Sequence, residues 1–209
     1  MVFSWMIHIF IDYRFSIRRG YNVFMALNIQ TVINKVIFEV IEEFNIHPDI
    51  FLTEEDVRCH IVSRLLQYKE LSELTDTIDG SKSIPIHTEV RWYGTSGLLR
   101  YRSDIVLLKP NSLKTKKSFH LPTKGYSFDK FDSIIEVKLR RIRPRSDKKY
   151  LQLINNDFTR LQALIKEVEG VNASFHLLCF DKRSDLGSHL KEYNQDRKIN
   201  FRYIYKNCE

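Results

Sequence analysis

Apolar residues between positions 29 and 44 recur at helical spacing. Val32, Val36 and Val40 form one row, and Ile33, Ile37 and Ile41 the next. The pattern predicts an amphipathic helix, broken by His47-Pro48-Asp49. Thr53 then has the character of an N-cap, with Glu54, Glu55 and Asp56 in the first turn, where the helix dipole favours acids. This second helix runs to about Tyr68 on Val57, Ile61, Val62, Leu65 and Leu66. After a turn-rich stretch at 76–83, the period shortens. Residues 84–92 (IPIHTEVRW) and 98–109 (LLRYRSDIVLLK) read as strands around a turn at Gly94 to Gly97. Residues 110–130 read as a long loop, and 132–140 (DSIIEVKLR) as a third strand. A helix follows from about Tyr150 to Glu167, with Leu151, Ile154, Phe158, Leu161 and Leu164 on one face. Residues 174–181 (SFHLLCFD) and 200–205 (NFRYIY) read as the closing strands.

This order predicts an α/β fold. Antiparallel hairpins come first, then a right-handed strand–helix–strand crossover from 132–140 to 174–181, giving a central mixed β-sheet flanked by helices. Residues 1–11 (MVFSWMIHIFI) are apolar, but Asp12 and Arg14 end the run. It falls short of the roughly 20 apolar residues that a membrane helix needs. It also lacks the basic start and small-residue cleavage site of a secretion signal. Residues 1–28 are therefore read as an N-terminal extension, of which 1–24 is an extra strand, an interaction arm, or a segment outside the translated protein, Met25 being a more ordinary start. Residues 29–209 are read as a single domain with a basic insertion at about 109–130.

Composition narrows the classes. With 209 residues, 43% hydrophobic, 7 Gly and 5 Pro, the chain can build a core and is not a linker or a collagen-like rod. Cys59, Cys179 and Cys208 are too scattered for a disulfide framework or a cysteine-rich zinc site, so a reducing, cytoplasmic setting is expected. No histidine pair has metal-ligand spacing, and no phosphate-binding loop or nucleophile elbow is present. The net charge of +7 favours a polyanionic partner, weakly by itself.

The third strand carries the informative chemistry. In Ile134-Ile135-Glu136-Val137-Lys138, strand alternation puts Glu136 and Lys138 on one face. The preceding strand embeds a single carboxylate, Asp104, in an apolar run. If the strands are neighbours, Asp104 and Glu136 converge. Two carboxylates with backbone carbonyls make a hard-oxygen site suited to Mg²⁺. Such a metal lowers the pKa of a bound water and neutralises charge on a phosphate, and the adjacent ammonium can orient the water or stabilise the transition state.

Asp104 followed by Glu136-x-Lys138 on the next long apolar strand resembles the PD-(D/E)XK nuclease superfamily. The resemblance spans roughly residues 50–182. Thr53-Glu54-Glu55-Asp56-Val57-Arg58 is also similar to the start of the nuclease domain in type I restriction subunits. The resemblance implies a restriction-endonuclease-like core and Mg²⁺-dependent phosphodiester hydrolysis, with Mn²⁺ as a substitute. DNA is favoured over RNA, and homodimerisation is an option. It implies metal ligation by Asp104, Glu136, the Val137 carbonyl and Glu54, which shares an inward face with Val57 and Ile61 and is preferred to Glu55. It also implies that Lys138 is the catalytic lysine. The residue before Asp104 is Ser103 rather than proline, and the loop from Asp104 to Glu136 is long.

Two basic segments flank the motif. Arg140, Arg141, Arg143, Arg145, Lys148 and Lys149 follow it, and Lys114, Lys116 and Lys117 lie in the insertion. These are the expected phosphate contacts. Trp92, Tyr93, Tyr101, Phe119, Tyr126, Phe128 and Phe131 are aromatic residues with which bases could stack, or else core. Blander readings stand beside each assignment. Glu136 and Lys138 could be a charge pair at a sheet edge, and Glu54 only a first-turn acid. Tyr150 and Asp157 read as structural residues that orient the crossover helix, and His87 and His176 as core or strand-surface histidines. The whole fold could be a catalytically inactive nucleic-acid-binding or assembly module.

Overall fold

The computed structural model of the chain describes residues 28–93, 99–115, 125–142, 146–168 and 172–208. The N-terminal extension up to residue 27, Phe119, and four of the expected phosphate contacts (Lys116, Lys117, Arg143, Arg145) lie outside those residues.

Helix α1 (Ile29–Ile46) begins at Asn28, whose side-chain oxygen accepts from the Gln30 and Thr31 N–H groups. It buries Val32, Ile33, Val36, Ile37, Val40 and Phe44 and ends at Ile46, two residues before Pro48. Helix α2 (Glu54–Leu65) opens on a capping box: Thr53 Oγ1 accepts from the Asp56 N–H, and Asp56 accepts the Thr53 N–H at 2.7 Å. Thr53→Ala is expected to cost about 1 kcal/mol in a urea melt. The Thr53 backbone N–H holds the Asp56 carboxyl below its ordinary value of 3.8. That support is present above pH 3.8 and is lost as pH falls through the lower native value. A one-turn helix α3 (Lys69–Ser72) and a two-residue hairpin, β1 (Thr75–Asp76) with β2 (Lys82–Ser83), follow.

The main sheet contains β3 (Ile86–Tyr93), β4 (Leu99–Leu108), β5 (Phe131–Arg140), β6 (Ser174–Asp181) and β7 (Ile199–Tyr205), in that spatial order. β3, β4 and β5 pair antiparallel, while β5, β6 and β7 pair parallel. Helix α4 (Asp147–Glu167) connects β5 to β6, and a stretch of 3-10 turns at Gly187–Gln195 leads to β7. The expected mixed α/β sheet with flanking helices is what the chain forms. The insertion is less irregular than its composition suggests. Tyr126 bridges to Trp92 at the outer edge of β3, and Lys114 bridges to Ser127.

Strand alternation divides the core into two layers. Ile105, Leu107, Ile135, Val137, Leu139, Leu178 and Phe180 pack under α1 and α2. Val106, Ile134, Leu177, Cys179 and Phe201 pack under α4, with Trp92, Phe128 and Phe131. Those three aromatics are at most 4% exposed, so they are core and not platforms for bases. Tyr93 is buried too. Tyr101 bonds to Glu167, and Tyr126 alone of the described set is largely exposed. His176 is buried on β6, and burial pushes its pKa down to about 4. The unfolded chain therefore takes up a proton near pH 6.5 that the native protein refuses. From pH 6.5 down to about 4, this histidine should remove about 1.4 kcal/mol of stability per pH unit. Comparing urea midpoints of wild type and His176→Gln across that window should show the extra slope only in wild type.

Candidate active site

The regular ladder breaks where the motif acids lie. β4 and β5 pair through Ile105↔Ile135, and the pairing ends there. On the other side of β4, Thr88↔Ile105 and Val90↔Ser103 are paired, but Glu89 and Asp104 are skipped. Glu89 adopts a left-handed φ of 54°, which costs a non-glycine residue of order 1–3 kcal/mol. The kink also turns β3 over. Ile86 faces the α1/α2 layer, whereas Val90 and Trp92, at even spacing from it, face the α4 layer. Asp104 is thereby freed from the ladder, and its Oδ2 accepts the Val137 N–H at 2.8 Å. A side chain thus satisfies a backbone donor of β5 that a regular strand partner would otherwise take.

Around this break the sequence-predicted residues come together. Lys138 Nζ lies 3.9 Å from Asp104 Oδ2 and 4.0 Å from Glu54 Oε2, and it donates to the Val137 carbonyl at 2.9 Å. Glu54 Oε1 also faces the Leu139 N–H at 3.4 Å, while Glu55 turns away to Arg58. Glu136 is 4% exposed beneath α4. Burial pushes its carboxyl well above the ordinary carboxylate range, and the neighbouring Asp104 and Asp157 push it further. Lys138 responds in the opposite sense. Burial works against its charge, but Asp157, Asp104 and Glu54 outweigh burial, so the ammonium is held more firmly than in water.

Three further residues complete the site. Asp157 of α4 is 2.7 Å from Lys138 Nζ and is itself buried. Arg160, one turn on, reaches Asp157 at 3.4 Å and Glu136 at 3.9 Å from a half-exposed position. Arg58 of α2 donates to Asp104 Oδ1 at 2.8 Å and pairs with Glu55 and Glu89. Asp157 had left a trace in the sequence, since it is a carboxylate within the Ile154–Phe158–Leu161 stripe. Arg58 and Arg160 had left none.

Six carboxylates (Glu54, Glu55, Glu89, Asp104, Glu136, Asp157) face four cations (Arg58, Arg102, Lys138, Arg160). Among the described residues this leaves two acids in excess, and protonation of Glu136, which its raised pKa favours, removes one of them. Among the described residues, no three acid, histidine or cysteine side chains close on one point to hold a metal unaided. Mg²⁺ asks for less, as one or two carboxylates suffice when water and a substrate phosphate complete its shell. Asp104 and Glu136 supply carboxylates in that number, with Asp104 accepting from Arg58 and from the Val137 N–H.

The expected phosphate contacts divide. Arg141, Lys148 and Lys149 are exposed next to the end of β5 and the start of α4, and Lys114 is half-buried on the insertion. Arg140 requires a correction. It shares the inward face with Glu136 and Lys138 and is fully buried. Its guanidinium bonds Asp181 at 2.9 and 2.6 Å, Asp147 and Ser184, and lies over the Tyr150 ring. It is a strut of the core and offers nothing to a phosphate. No helix among the described residues is long and apolar enough to cross a membrane. Comparison of the chain with protein-family models, with curated proteins and with solved structures finds no match.

Proposed function

We propose that the chain is a metal-dependent nuclease of the PD-(D/E)XK type, on a restriction-endonuclease-like core, that hydrolyses phosphodiester bonds of DNA. The observation that carries this reading is the break between β4 and β5, where Asp104 stands beside Glu136 and Lys138 instead of pairing in the ladder. Asp104 and Glu136 would hold Mg²⁺ or Mn²⁺, with Glu54 and the Val137 carbonyl nearby. When bound, the metal would supply an acidified water and neutralise charge on the scissile phosphate. The residues themselves do the rest. Lys138 stays protonated at neutral pH, so its part is that of a donor that orients the attacking water or stabilises the charge developing on phosphorus, and not that of a base. Asp157 fixes the ammonium, and the Val137 N–H fixes Asp104. Arg160 stands over Glu136 from a half-exposed position, where an incoming phosphate would meet it.

Nicking of a supercoiled plasmid in Mg²⁺ or Mn²⁺ tests this. Lys138→Met should lose about 10²–10³-fold in rate, the usual cost of a transition-state donor. Circular dichroism should show that the variant is folded. Equal nicking by both proteins would remove Lys138 from the mechanism.

A second reading has one observation in its favour. Arg58 occupies Asp104 Oδ1 and Lys138 occupies the Val137 carbonyl, so part of the centre is satisfied without metal. A nucleic-acid-binding module that has kept the fold would bind DNA with a steep salt dependence and never nick it.

A further inference from the structure

The parallel strands β5 and β6 leave the sheet side by side. Arg140 pairs with Asp181, and the Lys182 N–H donates to the Arg140 carbonyl at 3.0 Å. The next residues, Arg141 and Lys182, line a cleft of about 450 Å³ together with Asp49, Leu52 and Ile142. Open α/β sheets commonly place ligands just beyond the carboxyl ends of parallel strands. Lys182 is 5% exposed as a residue, yet its Nζ, which bonds to no described residue, opens to solvent in the cleft. Its carbon stem is covered by the protein while its charge stays available to an anion in the cleft. Asp49 is exposed at the rim and pairs with neither cation among the described residues, so positive charge prevails in the cleft. Leu52 and Ile142 supply low-dielectric walls, which strengthen the attraction for an anion.

We propose that this cleft is a second phosphate-binding site, with Lys182 and Arg141 as its two cations, and that it takes a non-scissile phosphate of the bound strand. The identity of the strand rests on the nuclease reading, whereas the phosphate chemistry does not. Arg141 lies three residues beyond Lys138, about 10 Å along an extended strand, so one strand can reach both sites. An internal backbone phosphate and a terminal phosphate share this chemistry.

The test is Lys182→Met, which keeps the length of the side chain and removes its charge. Lys69→Met, at an exposed lysine of α3, subtracts the same charge elsewhere. Binding of fluorescent duplexes is measured without divalent metal across a salt series, using matched 5′-phosphorylated and 5′-hydroxyl ends. Lys182→Met should weaken binding and lower the slope of log affinity against log salt by about one, with Lys69→Met near wild type. A loss on both duplexes assigns an internal phosphate, and a loss only on the phosphorylated one assigns a terminal phosphate. Inorganic pyrophosphate should also raise the melting temperature of wild type and not of Lys182→Met. Unchanged affinity and slope, with the same response to pyrophosphate in both proteins, would overturn the site. Neither readout needs cleavage, so a protein that binds but never nicks would refute the nuclease reading and leave this one standing.

Discussion

Glu136→Gln is expected to abolish plasmid nicking while leaving a folded protein that melts higher than wild type in the absence of metal. The two halves of this result have one cause. Burial, and then Asp104 and Asp157, make ionisation of Glu136 unfavourable in the native state. As its native pKa is raised, the native protein holds a proton that the unfolded chain has released. Stability on this account falls as pH rises from about 4.5 to the raised native value, and the deficit persists above it. The amide removes the deficit, and each kcal/mol recovered should lift the melting temperature by about 2–4 °C. The same amide cannot serve as an anionic ligand, so Mn²⁺ should raise the melting temperature of wild type and not of the variant. A site that gains stability when its function is removed is the usual mark of a carboxylate kept for chemistry. A Glu136→Gln protein that nicks normally would instead make Glu136 a structural residue.

Arg140→Ala is expected to show the largest stability loss, about 3–5 kcal/mol, because it strands the fully buried Asp181 without its cation. That corresponds to a fall of roughly 6–20 °C in melting temperature. Tyr203 also donates to Asp181, so some polar satisfaction survives, but no charge balance does. Below its melting point, the variant should bind DNA with the salt slope of wild type, since Arg140 reaches no surface. Alanine at the exposed Lys148 or Lys149 should do the reverse, lowering the slope by about one with little effect on melting. Differential scanning fluorimetry and a salt titration separate the two classes of basic residue.

The contrast between Arg140 and its neighbours shows what the sequence could and could not convey. Period-two alternation was enough to put Glu136 and Lys138 on one face of β5, and a carboxylate in an apolar run was enough to single out Asp104. The same alternation puts Arg140 on that inward face as well. Its place in a basic run obscured this, because a run of charge reads as surface until a buried partner such as Asp181 is known. Long periodic helices were legible for a similar reason, as α1 and α4 repeat their apolar rows several times. The β1–β2 hairpin and the 3-10 turns at Gly187–Gln195 are too short or too irregular for any period to register. Arg58 and Arg160 joined the site through the way α2 and α4 settle on the sheet, a tertiary fact that local spacing does not encode. The left-handed backbone at Glu89 was equally silent, since no glycine or asparagine marks it.

The break between β4 and β5 is proposed to build a cation site from Asp104 and Glu136, with Lys138 alongside. A crystal soaked in Mn²⁺ and measured at the manganese edge tests it most directly. An anomalous peak between the Asp104 and Glu136 carboxylates, with Arg58 displaced from Asp104 Oδ1, is the expected result. A map with no peak there, and with Arg58 and Lys138 still bonded to Asp104 and the Val137 carbonyl, would contradict it.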